Sequence, residues 1–439
     1  MKIIQSLRQR LKATEMFNNT FLSLFSKAIA MVLFLITDVV IARFLAKNGN
    51  YGEWTFYYAI VSMCFWVVWF GINPSTKVFV AKEVDNPSHQ QDYLMAGGKL
   101  RVIVSLLFFI LFLVAGFFLA EPLGYPQKYP HLRALFFSGA FLCFFNSFSE
   151  FFKEINIGLV KFKNIFWISV IEFGGNFIIG AGLLLLTRSV LGLAWGYVLA
   201  SIITAGTGLT LLIKIYSKKK VEQDKIYQKH AMQKIFHYAL PIFLVNIGAM
   251  ILTEIDVFML GIMRDPIENG LYTIAKGLCG KATHVNLAIS TSTMTAFAVI
   301  TKKNVREKKK LYQKIVSINF ILSVIIAIVL FLCGPWAVQI LYGEQYILAG
   351  NILQMMVPYY LFFSITLFSG ALLDYQQKAK QRMISYIVMV VLDVVLNYLF
   401  IPLWGAAGAA VATCLSMVPY VVSLEVLAKK IFSLKVKEL

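Results

Sequence analysis

Charge is what this sequence has least of. Asp, Glu, Lys and Arg make up 14% of its 439 residues while hydrophobic types reach 59%, whereas a soluble domain is roughly 25% charged. That leaves too little polar surface to coat a water-soluble globule of this size, so the chain resides in a membrane. Two-residue alternation is also missing from the apolar runs. Hydrocarbon offers no water to bare peptide groups, and runs of about 20 residues without alternation are spanning helices rather than barrel strands. Cysteine is sparse. The five residues Cys64, Cys143, Cys279, Cys333 and Cys414 are odd in number and each lies in or at the edge of an apolar segment, so they read as reduced packing residues. No His/Cys metal spacing, glycine-rich nucleotide loop or nucleophile elbow occurs. Catalytic residues, metal ligands and cofactors are therefore not expected.

Basic residues are the charges that remain, and the formal net charge is +19. They are dealt out among short loops rather than gathered into one domain, which argues against a nucleic-acid partner and makes them markers of topology. Apolar segments at 17–44, 53–73, 100–119, 132–152, 165–187, 191–213, 240–263, 271–299, 313–333, 350–373, 383–400 and 405–428 give twelve spans with both termini on one side. Counting residues at span ends with the adjoining loop, that side holds 32 of the 41 Lys and Arg; the opposite side holds five, Lys47, Lys128, Arg133, Arg188 and Arg264. The N-terminal side is thus expected to be the cytoplasm, and the chain a multi-pass protein of the cytoplasmic (inner) membrane. No cleavable signal is apparent. Residues 1–16 instead recur at helical spacing through Ile3, Ile4, Leu7 and Leu11 with Lys2, Arg8, Arg10 and Lys12 between, an amphipathic segment suited to the anionic leaflet.

The expected fold is all-α, with 17–213 as an N-lobe of six spans, 214–238 as a basic cytoplasmic linker, 239–428 as a C-lobe of six, and 429–439 as a basic tail. A shift of 218 residues superposes Phe25 on Phe243, Ile29 on Ile247, Asp38-Val39 on Asp256-Val257 and Gly52 on Gly270, with Trp54 meeting Tyr272. Two halves of six spans then share one orientation, as parallel repeats rocking about a central site.

Several stretches carry a family likeness: Ile41-Ala42-Arg43-Phe44-Leu45 followed by Tyr51-Gly52, Gly158 to Lys163, Ala239-Leu240-Pro241, Leu341 to Tyr346, and the most specific, Asn397 to Thr413. In these the chain resembles the polysaccharide flippases (Wzx-type) of the multidrug/oligosaccharidyl-lipid/polysaccharide exporter superfamily. It departs from them at Leu45-Ala46, where the family usually has Leu-Gly. The resemblance implies two six-helix lobes in a V, alternating access, and a lipid-diphosphate-linked oligosaccharide or teichoic-acid precursor as cargo. Twelve spans argue against a lipid II flippase, which usually has fourteen.

Ionisable groups inside spans cost at least about 2.5–3.5 kcal/mol on insertion scales, so each is a candidate for function. Lys27 and Asp38 share a stripe of span one. Lys276, Lys281 and His284 share an arc of span eight, Asn246, Thr253 and Asp256 an arc of span seven with Glu254 turned elsewhere, and span eleven adds Asp393 and Asn397. Lysine suits a diphosphate as a point charge. Lys27, Lys281 and His284 are therefore assigned to the diphosphate, with Lys276 and Arg43 toward the exit. The competing readings are snorkelling for Lys276 and Arg43, pairing with Asp38, Glu254 or Asp256 for Lys281, and an ordinary helix contact for His284. Asp38, Glu254, Asp256 and Asp393 serve either to couple protons or sodium or to neutralise the lysines. The membrane potential is the alternative to ion coupling, since expelling two negative charges gains about 4.6 kcal/mol per 100 mV. Glu150, Lys153 and Glu154 near the end of span four, and Glu172 in span five, read as interfacial or helix-packing groups. Pro358 and Pro419 read as bends or hinges, and Gly405 to Ala410 as a close-packing run.

The function expected is that of a flippase acting as a monomer, with an isoprenoid-linked glycan as substrate and membrane lipids and glycan-assembly proteins as partners. A cation-coupled multidrug exporter is the nearest rival, yet Lys27, Lys281 and His284 would repel an organic cation. A polysaccharide-assembly enzyme would need an external loop rich in His, Arg or acids, and His131 with Arg133 does not supply one.

Overall fold

A computed structural model describes residue 22 and residues 25–46, 49–216, 225–300, 305–376 and 378–437. The amphipathic segment 1–16 lies outside the described residues, as do residues 217–224 of the expected linker. Among the described residues there is helix and turn but no strand. In chain order the helices are α1 (Phe25–Phe44), α2 (Asn50–Trp69), α3 (Ile72–Lys82), α4 (Pro87–Leu119), α5 (Leu132–Gly158), α6 (Phe162–Gly175), a π-helical turn (Asn176–Ala181) and α7 (Gly182–Thr187). They continue with α8 (Val190–Tyr216), α9 (Lys225–Met263), α10 (Pro266–Ile300), α11 (Val305–Tyr342), α12 (Ile347–Tyr375) and α13 (Ala379–Lys437).

Nine of these stretches are long and apolar enough to cross a bilayer, and α9, bent by 49°, makes a tenth. Two further spans come from particular residues. α10 falls short on hydropathy because Glu268, Lys276, Lys281 and His284 interrupt it. α13 is two spans in one run, since Gly405 at φ 58°, ψ −131° breaks it where only glycine fits. The chain is thus a twelve-span, multi-pass membrane protein.

Its surface is inverted relative to a soluble bundle. Val102, Ile103, Leu106, Leu107, Ile110, Leu111 and Val114 form one exposed apolar face of α4, and Ile318, Ile321, Ile325 and Ile328 do the same on α11. With lipid outside, the inner faces have no hydrophobic incentive to associate and depend on close packing and internal hydrogen bonds. At Gly196 of α8 an added Cβ would lie 2.6 Å from Gly180 Cα, and at Gly350 of α12 it would lie 2.5 Å from Pro335 Cα. A buried polar set also ties α10 to α11 and α12: Asn286 Nδ2 donates to Asn319 Oδ1 (2.7 Å) and Ser323 Oγ (2.8 Å), while Tyr360 OH donates to Asn286 Oδ1 (2.7 Å).

The chain forms two compact units, the first comprising residues 1–47 and 57–250, the second 48–56 and 251–439. Both α2 and α9 therefore have residues in each. In the first unit, Ile72, Tyr93, Leu94, Phe151, Phe152 and Ile235 belong to one buried cluster drawn from α3, α4, α5 and α9. In the second, Leu373, Met389, Met417, Tyr420 and Leu424 join α12 to both arms of α13. The start of α2 packs within the second unit. A Cβ on Gly52 would fall 1.6 Å from Pro266 O, and one on Gly270 would lie 3.5 Å from Gly52 N. The two glycines that superpose in the sequence repeat thus meet in space.

The cysteines are all unbridged, with Cys143, Cys279 and Cys414 buried. The expected linker is helical from Lys225 onward, as the start of α9.

Candidate functional site

Each unit holds a cluster of charge within its helices. In the second unit the turn at Arg264–Asp265 folds α10 back along α9 and brings Asp256 level with Tyr272 and Lys276. Lys276 Nζ forms an ion pair with Asp256 Oδ1 at 2.5 Å and also donates to Thr253 O at 2.5 Å. Tyr272 OH donates to Asp256 Oδ2 at 2.5 Å and meets Thr413 Oγ1 at 3.3 Å. The Val257 amide donates to Asp256 Oδ1 at 2.8 Å. One more link follows, as Ser416 Oγ donates to Asp393 Oδ1 at 3.1 Å, and Asp393 lies within electrostatic range of both Asp256 and Lys276. The arrangement is two buried carboxylates and one lysine.

The partner of Asp256 is therefore Lys276, where the sequence reading weighed Lys281 for that part and snorkelling for Lys276. Lys281 is half-buried, and its Nζ folds back toward Gly277 of its own helix. His284 is exposed and Glu254 half-buried. On α1, Lys27 and Arg43 are exposed and Asp38 half-buried. Of the nine residues singled out in the sequence, the structure brings Asp256, Lys276 and Asp393 into one cluster within the second unit.

The first unit holds a cluster that the sequence reading assigned to packing. Lys153 Nζ is 2.5 Å from Glu150 Oε1 and 2.7 Å from Glu172 Oε2. Glu150 and Lys153 lie three apart on α5, and Glu172 lies in the last turn of α6 before the π-helical turn. The signal was present in the sequence as a charge triple with an acid inside an apolar run. A cavity of about 190 Å³ opens beside it, with Glu150 and Glu172 in its wall.

Arg101 was also missed. It is 0% exposed in the middle of α4, and it stands where α2 gives way to α3 through Phe70 (φ 46°) and Gly71 (φ 68°). Its guanidinium donates to Val68 O, to Trp69 O (3.4 Å), to Asn73 Oδ1 (3.2 Å) and, through Nε, to Ser105 Oγ (3.1 Å). The last carbonyls of α2, left over by the break, are thus satisfied. Phe70 is held in its left-handed conformation by stacking on Phe243 at 4.3 Å and Phe236 at 5.7 Å.

The motif at 397–413 finds its explanation in the second unit. Arg264 donates to Ile401 O (3.0 Å) and Pro402 O (2.8 Å) on one side of the Gly405 break, and Ala406 N donates to Glu268 Oε2 (2.8 Å) on the other. Gly408 supplies close packing, as a Cβ there would lie 2.2 Å from Phe400 O. Among the described residues no three His, Cys, Asp or Glu side chains converge as a metal site requires.

Comparison with known proteins places this architecture. A family model described as polysaccharide biosynthesis protein matches residues 16–297, and one described as MatE matches residues 241–399. No curated protein matches the chain. Among solved structures, an inward-facing multidrug resistance MATE family transporter of the MOP superfamily superposes with a TM-score of 0.71 at 13% identity, over 93% of this chain and 96% of its own. The lipid II flippase MurJ, in an inward closed conformation, gives 0.67 at 17% identity over 94% of this chain and 87% of its own. The eukaryotic MATE transporter AtDTX14 gives 0.59 at 13% identity, covering 93% of this chain and 96% of its own. At such identities the likeness concerns the fold. The family match covers well over half the chain, and by it this multi-pass membrane protein belongs to the polysaccharide biosynthesis protein family.

Proposed function

We propose that the protein flips a lipid-diphosphate-linked oligosaccharide or teichoic-acid precursor from the inner to the outer leaflet of the cytoplasmic membrane by alternating access. Bringing a diphosphate into hydrocarbon unaided would cost tens of kcal/mol by Born estimates. Fixed cations beside an aqueous path offset that cost. Lys27, Lys281 and His284 take this role, with Arg43 and Lys276 toward the exit. Lys27 and His284 are exposed on membrane helices, and a cation there is far better placed against water and phosphate than against lipid. Asp256 neutralises Lys276 when no substrate is bound, and Asp38, Glu254 and Asp393 are the remaining acids for ion coupling or charge compensation.

One observation carries the reading: the polysaccharide biosynthesis family match, residues 16–297, contains all five of these basic residues. The multidrug reading draws on the MatE match and on the MATE structures. Against it, a cationic path repels organic cations. Cells carrying Lys27→Ala or Lys281→Ala should accumulate lipid-linked oligosaccharide on the inner leaflet at unchanged protein level. Normal glycan export in the double variant would remove the diphosphate role. Export of an organic cation without any glycan phenotype would favour the drug exporter.

A further inference from the structure

The cavity of about 190 Å³ in the first unit is unaccounted for by the cationic path. It is walled by α1, α2, α5, α6 and α8, and its polar lining includes Trp69, Asn146, Glu150, Glu172 and Asn176. Two polar atoms in that wall, Trp69 Nε1 and Asn146 Oδ1, are buried without a hydrogen-bond partner. A buried donor and a buried acceptor left open in this way normally mark a place where a ligand or water belongs. Beside them Glu150 and Glu172 share the one ammonium of Lys153, which leaves one carboxylate charge in excess and oxygen lone pairs available to hydroxyl donors.

We propose that this cavity is a saccharide pocket, holding one sugar ring of the transported glycan with its hydroxyls on Asn146, Trp69 and the Glu150–Glu172 pair. The inference rests on the flippase reading and names a subsite for the part of the substrate that the lysines do not touch. Three features favour a neutral polyhydroxylated ring over a cation. The indole N–H is a donor only, and a cation has no use for it. Lys153 already occupies the position between the two carboxylates where a cation would sit. The volume is that of several water molecules rather than one ion. Tyr58 and Tyr197, edge-to-face at 6.2 Å, contribute aromatic walls that a sugar's C–H faces can pack on.

The test uses full-length protein in lipid nanodiscs and saturation-transfer NMR with free glucose and free N-acetylglucosamine as probes, comparing wild type, Trp69→Phe and Asn146→Leu. Trp69→Phe keeps an aromatic ring in the wall while removing the indole donor, and an unchanged melting temperature certifies the fold. Saturation transfer to at least one sugar, weakened about tenfold in each variant by loss of one hydrogen bond in a buried site, supports the pocket. Absence of transfer in wild type, or equal transfer in all three proteins, overturns it. So does broadening of the ²³Na resonance that Glu172→Gln abolishes with no sugar signal, which would make the cavity a cation site. The two readings fail separately. Lipid-linked glycan translocated without sugar binding refutes the pocket alone, and sugar binding without translocation refutes the flippase reading alone.

Discussion

Each unit interrupts a helix and closes the break with an arginine, yet the two breaks are protected very differently. In the first unit Arg101 is sealed from solvent and its four acceptors are all neutral, two carbonyls, an amide and a hydroxyl. In the second, Arg264 is only partly buried, reaches two carbonyls, and is complemented by Glu268 on the far side of the break. A guanidinium taken fully out of water must be repaid by every dipole around it, so the geometry at the α2–α3 break is held on all sides. Where water still reaches the pair, desolvation is smaller and the same contacts bind less tightly. The charge clusters repeat the contrast. Lys153 is the common partner of two acids, whereas Asp256 has Lys276, Tyr272 and its neighbouring backbone amide to share the load.

The contrast is most sharply tested at Arg101. Arg101→Met should destabilise the protein by about 4–6 kcal/mol, since four acceptors lose a charged donor in a dry site. Thermal unfolding in detergent, followed by tryptophan fluorescence, should show the largest loss of any single variant considered. A change no greater than that of Arg264→Ala would dissolve the distinction. Lys153→Met comes next, at about 3–5 kcal/mol, because it abandons two carboxylates whose side chains sit in largely buried surroundings. Adding Glu172→Gln to Lys153→Met should recover part of that loss, as one buried charge is then gone. If the double variant melts lower than the single, the two acids do not depend on the shared lysine.

These expectations were not equally visible in the sequence. Hydropathy located the spans, including the two inside α13, because apolar length is a property of the chain alone. It began span three at residue 100, which put Arg101 at the span's edge and let it be counted with the preceding loop, although Asn86-Pro87 marks the true helix start. Asn86 Oδ1 accepts from His89 N at 3.4 Å, with Pro87 as the first helical residue. A hydropathy window sees where a helix becomes greasy, not where it begins. Lys276 and Lys281 shared an arc on a helical wheel, and the wheel alone does not say which of them meets Asp256. The hairpin does, because counted outward from the Arg264–Asp265 turn Asp256 and Lys276 stand within one helical turn of each other, and Lys281 lies more than a turn beyond. The cavity beside Glu172 was not legible, since it depends on the packing of five helices that share no local signal.

Lys276→Met should cost less than Lys153→Met, about 2–3 kcal/mol, because Asp256 keeps the Tyr272 hydroxyl and the Val257 amide when its ammonium is lost. Removing the amide is impractical, but Tyr272→Phe in the Lys276→Met background tests the same point. That double variant should fall to the level of Lys153→Met, measured by the same unfolding assay, if shared coordination is what protects Asp256.

The smallest effect belongs to the open break. Arg264→Ala should cost about 1–2 kcal/mol, two partly hydrated hydrogen bonds at the ordinary net worth of such contacts. Pro402 O lies near enough to solvent for water to replace the guanidinium, an exchange the buried carbonyl of Val68 is denied. Glu268→Gln should cost less still, since the amide oxygen can go on accepting from Ala406 N. High salt should weaken Arg264 but leave Arg101 untouched, because screening acts on charges that water can reach. Equal salt responses for the two arginines would mean that the breaks differ in sequence but not in physics.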